Sequence, residues 1–122
     1  MRHINTPTIA IARQTLHHTM TRIGWPPAVI SDAQLALVEL LVNAWRHADT
    51  PAPLVGIISD NGNLRVSVTD QSPVLPATPP LSLLAESGRG LQLVAGLTHR
   101  WGVDPHDQAK SVWFELDGAA RR

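Results

Sequence analysis

Glu39, Asn43 and His47 recur at four-residue intervals inside VELLVNAWRHAD, residues 38–49, a stretch otherwise rich in Leu, Val, Ala and Trp. On a helix, that interval stacks a carboxylate, an amide and an imidazole along one edge. At about 100° per residue, with Glu39 at zero, Asn43 falls at about 40° and His47 at about 80°. Asp32 and Ala36 share that edge, while Val38, Leu41, Val42 and Trp45 occupy the opposite arc, with Leu35 at its border. Solvated helix faces fill with Lys, Glu, Gln and Arg, whereas Asn is a poor helix former. The edge is also narrow and flanked by Leu40 and Ala36, as the lining of a groove would be. An amide oxygen beside a carboxylate offers a hard ligand and a base to a magnesium–phosphate site. Taken alone, the helix fits an ordinary amphipathic element equally well.

Two further stretches carry chemistry. Gly88-Arg89-Gly90-Leu91 leads out of an irregular segment into an apolar run. Helix N-termini present unsatisfied N–H groups to an anion, and glycines let the backbone approach it closely. A plain turn explains such a Gly-x-Gly as readily. Asp70 ends a strand-like run where a long loop begins. An acid there is ordinarily solvated or caps a turn. At the mouth of a pocket it would instead accept a hydrogen bond from an amino group such as that of adenine.

Punctuation and period define the surrounding helices and strands. Thr6-Pro7 is a helix start, and the helix runs through IAIARQTLHHTMTRI to stop at Gly24. His17 and His18 inside it point to different faces and make a poor metal clamp. Ser31 to Gln34, S-D-A-Q, has the form of a capping box and opens a second helix that continues to about Ala48. PLVGIISD and NLRVSVTD are strand-like and are separated by Asn61-Gly62, a strong hairpin signal because both residues tolerate positive φ. Leu64, Val66 and Val68 share one face of the second strand. Residues 71–87 are proline-rich and fit neither period, and so long a loop tends to be functional or mobile. LQLVAGL forms a short helix, and HRWGV and SVWFEL, joined by DPHDQAK, are the last two strands. Strand pairs joined by tight turns imply an α+β two-layer sandwich. Its mostly antiparallel, mixed sheet of about four strands is covered on one face by about three helices. Residues 1–122 form one domain, with a core of about 6–117 and a frayed tail over 118–122.

Composition narrows the classes. Hydrophobic residues are 43% and charged residues 16% of the 122, which indicates a globular chain. Ten basic residues balance ten acidic ones, so there is no electrostatic footprint for nucleic acid or an anionic membrane surface. The absence of cysteine rules out disulfides and thiolate metal sites and fits the cytoplasm. No apolar run approaches the ~20 residues of a membrane span, and the N-terminus shows no signal peptide. A soluble intracellular domain is the expectation.

In order, ELLVNAWRHA, VSVTDQSP, GRGLQLV, HRWGV and KSVWFEL resemble the ATP-binding domain of the GHKL ATPases, which include gyrase and the histidine kinases. The resemblance spans roughly Ala12 to Leu116 and is greatest to the small actinobacterial anti-sigma-factor serine/threonine kinases. It implies a histidine-kinase-like ATPase fold binding ATP and Mg²⁺. By resemblance, Asn43 coordinates the metal and Glu39 is the general base toward the attacking hydroxyl. His47 sits near sugar or phosphate, and Asp70 selects adenine through its amino group. Gly88, Arg89, Gly90 and Leu91 cradle phosphate, and Ser111 matches a hydroxyl that assists adenine binding. The implied partners are an anti-sigma-factor antagonist, phosphorylated on serine, and a sigma factor. Homologues of this kind are often dimers. The family's Asp-x-Gly-x-Gly box is altered here: Gln71, Ser72 and Pro73 follow Asp70, with Ser72 in place of the first glycine. That departure keeps a second reading open, a non-catalytic module that switches partners with its nucleotide. A detached histidine-kinase catalytic domain and a DNA-binding helix pair are weaker alternatives.

Overall fold

The computed structural model describes residues 6–48, 53–70, 91–107 and 109–118. Helix α1 spans Thr6–Ile23 and ends at Gly24, whose φ of 104° suits only a residue without a Cβ. The amides of Gly24 and Trp25 both bond back to the Met20 carbonyl and close the helix end.

Helix α2 spans Pro27–Ala48. It starts four residues ahead of the expected Ser31 cap, and Ser31 is an exposed residue inside the helix. The reason lies in Pro26-Pro27. Proline at the first helical position loses no hydrogen bond and has its φ already set, and the Ile30 amide bonds to the Pro26 carbonyl at 3.0 Å. Residues 91–97, LQLVAGL, are helical as expected and are the described part of α3.

Among the described residues four strands follow the order β1-β2-β4-β3, with β1 at Leu54–Asp60, β2 at Asn63–Asp70, β3 at Arg100–His106 and β4 at Ala109–Leu116. All three pairings are antiparallel, so the expected mixed sheet is uniform among the described residues. Asn61 and Gly62 turn the first hairpin with φ of 54° and 82°, the double positive φ of a type I′ turn. The second hairpin turns later than expected, because β3 continues through Asp104, Pro105 and His106. Proline is tolerated there because β3 is an edge strand, where a missing donor need not break the sheet.

Alternation on β2 and β4 decides the layers. Leu64, Val66 and Val68 on β2, and Val112, Phe114 and Leu116 on β4, are buried. They join one core with Leu16 and Met20 of α1, Ala36, Leu37, Leu40 and Leu41 of α2, and Leu91 and Val94 of α3. The helices therefore cover one sheet face, as expected of the α+β sandwich. Residues Pro27–Ala44 are apolar and long enough, at 18 residues, to cross a membrane by length and composition. The expectation that no run approaches that length is corrected to this extent. The same residues supply the α2 side of the core, and a buried core helix passes such a test.

Candidate functional site

Burial on α2 is rotated relative to the expected arcs. Ile30, Ala33, Ala36, Leu37, Leu40, Leu41 and Ala44 are buried, while Leu35 is 45% exposed and Val38 and Val42 are half-buried. Ala36, expected on the polar edge, is thus at the heart of the packed face. The sheet, not the count of apolar residues, chose the face: small Ala33, Ala36 and Ala44 let the helix approach closely.

Asn43 consequently lies at the border of the packed face and is 7% exposed. Its Nδ2 is buried without a hydrogen-bond partner among the described residues. Buried polar atoms are nearly always satisfied, so an orphan amide in a packed face calls for an explanation. Glu39, one turn earlier, is half-buried and keeps access to solvent. His47 stands on α2, but its side chain lies outside the described residues. Ser72, Gly88, Arg89 and Gly90 lie outside them too. Leu91 opens the described part of α3 and is 1% exposed, a core residue at the place expected for the phosphate cradle.

Asp70 occupies the helix-covered face at the end of β2 and is 2% exposed. Directly across the ladder is Lys110, 4% exposed. Its Nζ meets Asp70 Oδ2 at 2.6 Å. Lys110 was not singled out in the sequence. The signal was available, since Lys110 shares its strand face with Val112 and Phe114, and a charge in that register is a buried charge.

Ser111, by contrast, is not brought to Asp70. Neighbouring residues of a strand point to opposite faces. Ser111 Oγ lies on the open face, 2.7 Å from Thr69 Oγ1 and 2.9 Å from His106 Nε2. The adenine-side partner placed by resemblance at 111 has its side chain behind the sheet, and the residue beside Asp70 is Lys110.

The model of the histidine kinase-like ATPase domain matches residues 5–116. This chain belongs to that family. It is also 39% identical over 86 residues to an uncharacterised protein of Streptomyces coelicolor, covering 67% of this chain and 82% of that one. The family implies ATP binding.

The residues present fit that role in chemical type. Asn43 offers an amide oxygen, an amide can present either end to a ligand, and Mg²⁺ typically takes one or two protein oxygens with the rest from phosphates and water. No cluster of three or more His, Asp or Glu residues able to hold a metal occurs among the described residues. A metal held chiefly by nucleotide phosphates does not need one. An apolar hollow between α1 and β1, lined by Ile11, Ala12, Thr15, Leu54, Val55 and Ile57, includes none of the candidate residues of this ATPase domain.

Proposed function

We propose that this ATPase domain is a cytoplasmic protein serine/threonine kinase of the anti-sigma-factor type. It uses ATP and Mg²⁺ to phosphorylate an anti-sigma-factor antagonist, and it binds a sigma factor. The observation that supports its nucleotide-binding half is Asn43, a buried amide whose Nδ2 has no partner among the described residues, on a helix face otherwise closed by Leu and Ala. Asn43 would hold Mg²⁺, which when bound neutralises charge on the triphosphate. Glu39 is half-buried one turn away and would take the proton of a substrate hydroxyl while the hydroxyl oxygen attacks the terminal phosphorus. The bond from that phosphorus to the bridging oxygen breaks, and ADP leaves with its electron pair. Asp70 fixes the base, and the segment holding Gly88, Arg89 and Gly90 receives the phosphates.

Calorimetric titration of the chain with ATP tests the binding half. Saturable heat that requires Mg²⁺ and vanishes in Asn43→Ala supports it, and a wild-type chain indifferent to ATP with Mg²⁺ refutes it. Transfer of labelled phosphate to a serine of a candidate antagonist tests the kinase half.

The second reading, a nucleotide-dependent partner-switching module without catalysis, is favoured by Ser72 and Pro73 in place of the expected glycine box. It is supported if sigma-factor binding follows nucleotide state and survives Glu39→Ala with no phosphate transferred.

A further inference from the structure

Among the described residues β1 and β3 are the outer strands of the sheet, and an outer strand offers its N–H and C=O groups to any further strand. The two edges are built differently. β3 carries Arg100, Asp104 and Pro105, the charges and proline by which natural sheets resist pairing with another chain. From Leu54 to Ile58, β1 has no charge, no proline and no break in its register with β2. Ile11, Leu54 and Ile58 are 63%, 60% and 58% exposed, more than any other large apolar side chain among the described residues. All three belong to this edge. Leu54 and Ile58 stand on β1, and Ile11 of α1 lines the hollow of about 310 Å³ that Val55 and Ile57 share.

The order of residues on β1 is its own complement. In an antiparallel pair of two copies centred on Gly56, each Leu54 stands opposite the second copy's Ile58, and each Val55 opposite Ile57. The faces agree as well. Leu54 and Ile58 oppose Thr69 and Arg65 on the open face, while Val55 and Ile57 oppose Val68 and Val66 on the helix-covered face. Facing side chains therefore lie on one side of the joined sheet, and both helix layers fall on the same side. Centring the pair on Ile57 would instead set Asp60 against Leu54 and Ser59 against Val55, so the apolar order selects Gly56.

We propose that two copies of this chain join edge to edge, β1 antiparallel to β1 about Gly56, into one continuous sheet, with Ile11 of each copy closing over the joined strands. The reading is independent of ATP binding. A second copy is the occupant because the matching apolar order is on the strand itself and the other edge is guarded. Two short strands make a small interface, near the ~1,200 Å² lower bound of specific ones, so association is weak and depends on protein concentration.

The test is sedimentation equilibrium of the full chain without nucleotide, carried to about 1 mM protein. Wild type should show a reversible monomer–dimer equilibrium. Leu54→Lys and Ile58→Lys should each weaken it about tenfold or more, because each sets an ammonium against an apolar side chain on both sides of the axis. His106→Lys, on the β3 edge, should leave it unchanged. All three positions are exposed, so the variants should keep the wild-type circular dichroism. Disulfide trapping reads the register, since the chain has no cysteine of its own. A mixture of Leu54→Cys and Ile58→Cys chains should crosslink on oxidation, because directly opposed positions lie about 4.5–5.5 Å apart at Cβ. Either variant alone should not, its two copies being four residues out of register. A wild-type chain still monomeric at about 1 mM overturns the inference. So does a dimer that survives both β1 lysine variants, or trapping no greater in the mixture than in either variant alone.

Discussion

The two faces of the sheet carry ion pairs of the same chemistry in opposite surroundings. On the helix-covered face, Asp70 and Lys110 are sealed from water, with side chains 3% and 5% exposed. On the open face, Arg65 and Arg100 both bond Glu115 at 2.9 Å, and Arg100 also reaches Asp117. There the side chains of Arg65, Arg100 and Asp117 are 38%, 49% and 37% exposed. Water screens the open network and leaves each pair worth little, while the covered pair interacts through a medium of low polarisability. The comparison assigns them different work. The open network, with Arg65 stacked 4.0 Å from the Trp113 ring centre, ties three strands together. The covered pair breaks an apolar pattern and needs a reason beyond stability.

Two glutamates test that division most sharply. Glu39→Gln should lower phosphate transfer by ~10²–10⁴-fold, the usual share of general-base help. ATP affinity should hardly change, because a base acts in the transition state and not on the bound nucleotide. Glu115→Gln on the open face should leave transfer untouched. Equal losses of turnover and affinity in Glu39→Gln would remove Glu39 from the base role.

Stability should separate the faces as well. Asp70→Ala strands a buried ammonium and should cost about 3–5 kcal/mol in urea denaturation. Replacing both partners, as Asp70→Leu with Lys110→Met, should recover most of that loss, since no charge is then left unpaired. A double variant as unstable as the single one would mean that the pair is a structural necessity. A smaller effect is expected where the open face is tightly built. A methyl group at Gly102 would meet Trp113 Cζ2 at 2.6 Å and Cε2 at 2.9 Å, so Gly102→Ala must push the indole aside. Overpacking of that kind costs about 1–3 kcal/mol, and the loss should appear in thermal unfolding with Trp fluorescence altered.

Much of the fold was legible because local chemistry and tertiary packing agree. Asn61-Gly62 fixed the hairpin, the Leu64, Val66 and Val68 alternation fixed the core face, and Gly24 closed α1. The start of α2 was misplaced because Ser31 offers a side-chain cap, while the proline at 27 offers a backbone already in helical shape. The extension of β3 through Pro105 was hidden because proline signals a turn unless one knows the strand is an edge. At the site, family order marked Asn43 and Asp70, and both are buried polar residues. The resemblance pointed to Ser111, one residue from Lys110. In a strand that single step crosses from one face of the sheet to the other. Charge balance in sequence also concealed Lys110, since a lysine is ordinarily a surface residue until its register puts it inside.

The smallest expected effect is the pH signature of the open network. Arg100 first and Arg65 second hold the Glu115 carboxyl below its ordinary value of 4.5. A carboxyl depressed by folding stabilises the native state above its unfolded value and loses that contribution as pH falls through the folded one. Because the Glu115 side chain is 23% exposed and its partners more so, the contribution should be under ~1 kcal/mol. Glu115→Gln should therefore be slightly less stable than wild type at neutral pH, and the difference should vanish in acid below the ordinary carboxylate range. Raising salt at neutral pH should shrink the same difference, because exposed charges are screened over about 10 Å at 0.1 M. The Asp70–Lys110 pair should hold its contribution under that salt, being closed to the ions that do the screening. If salt weakened both faces alike, the sealed pair would be open to solvent, and the contrast between the two faces would be lost.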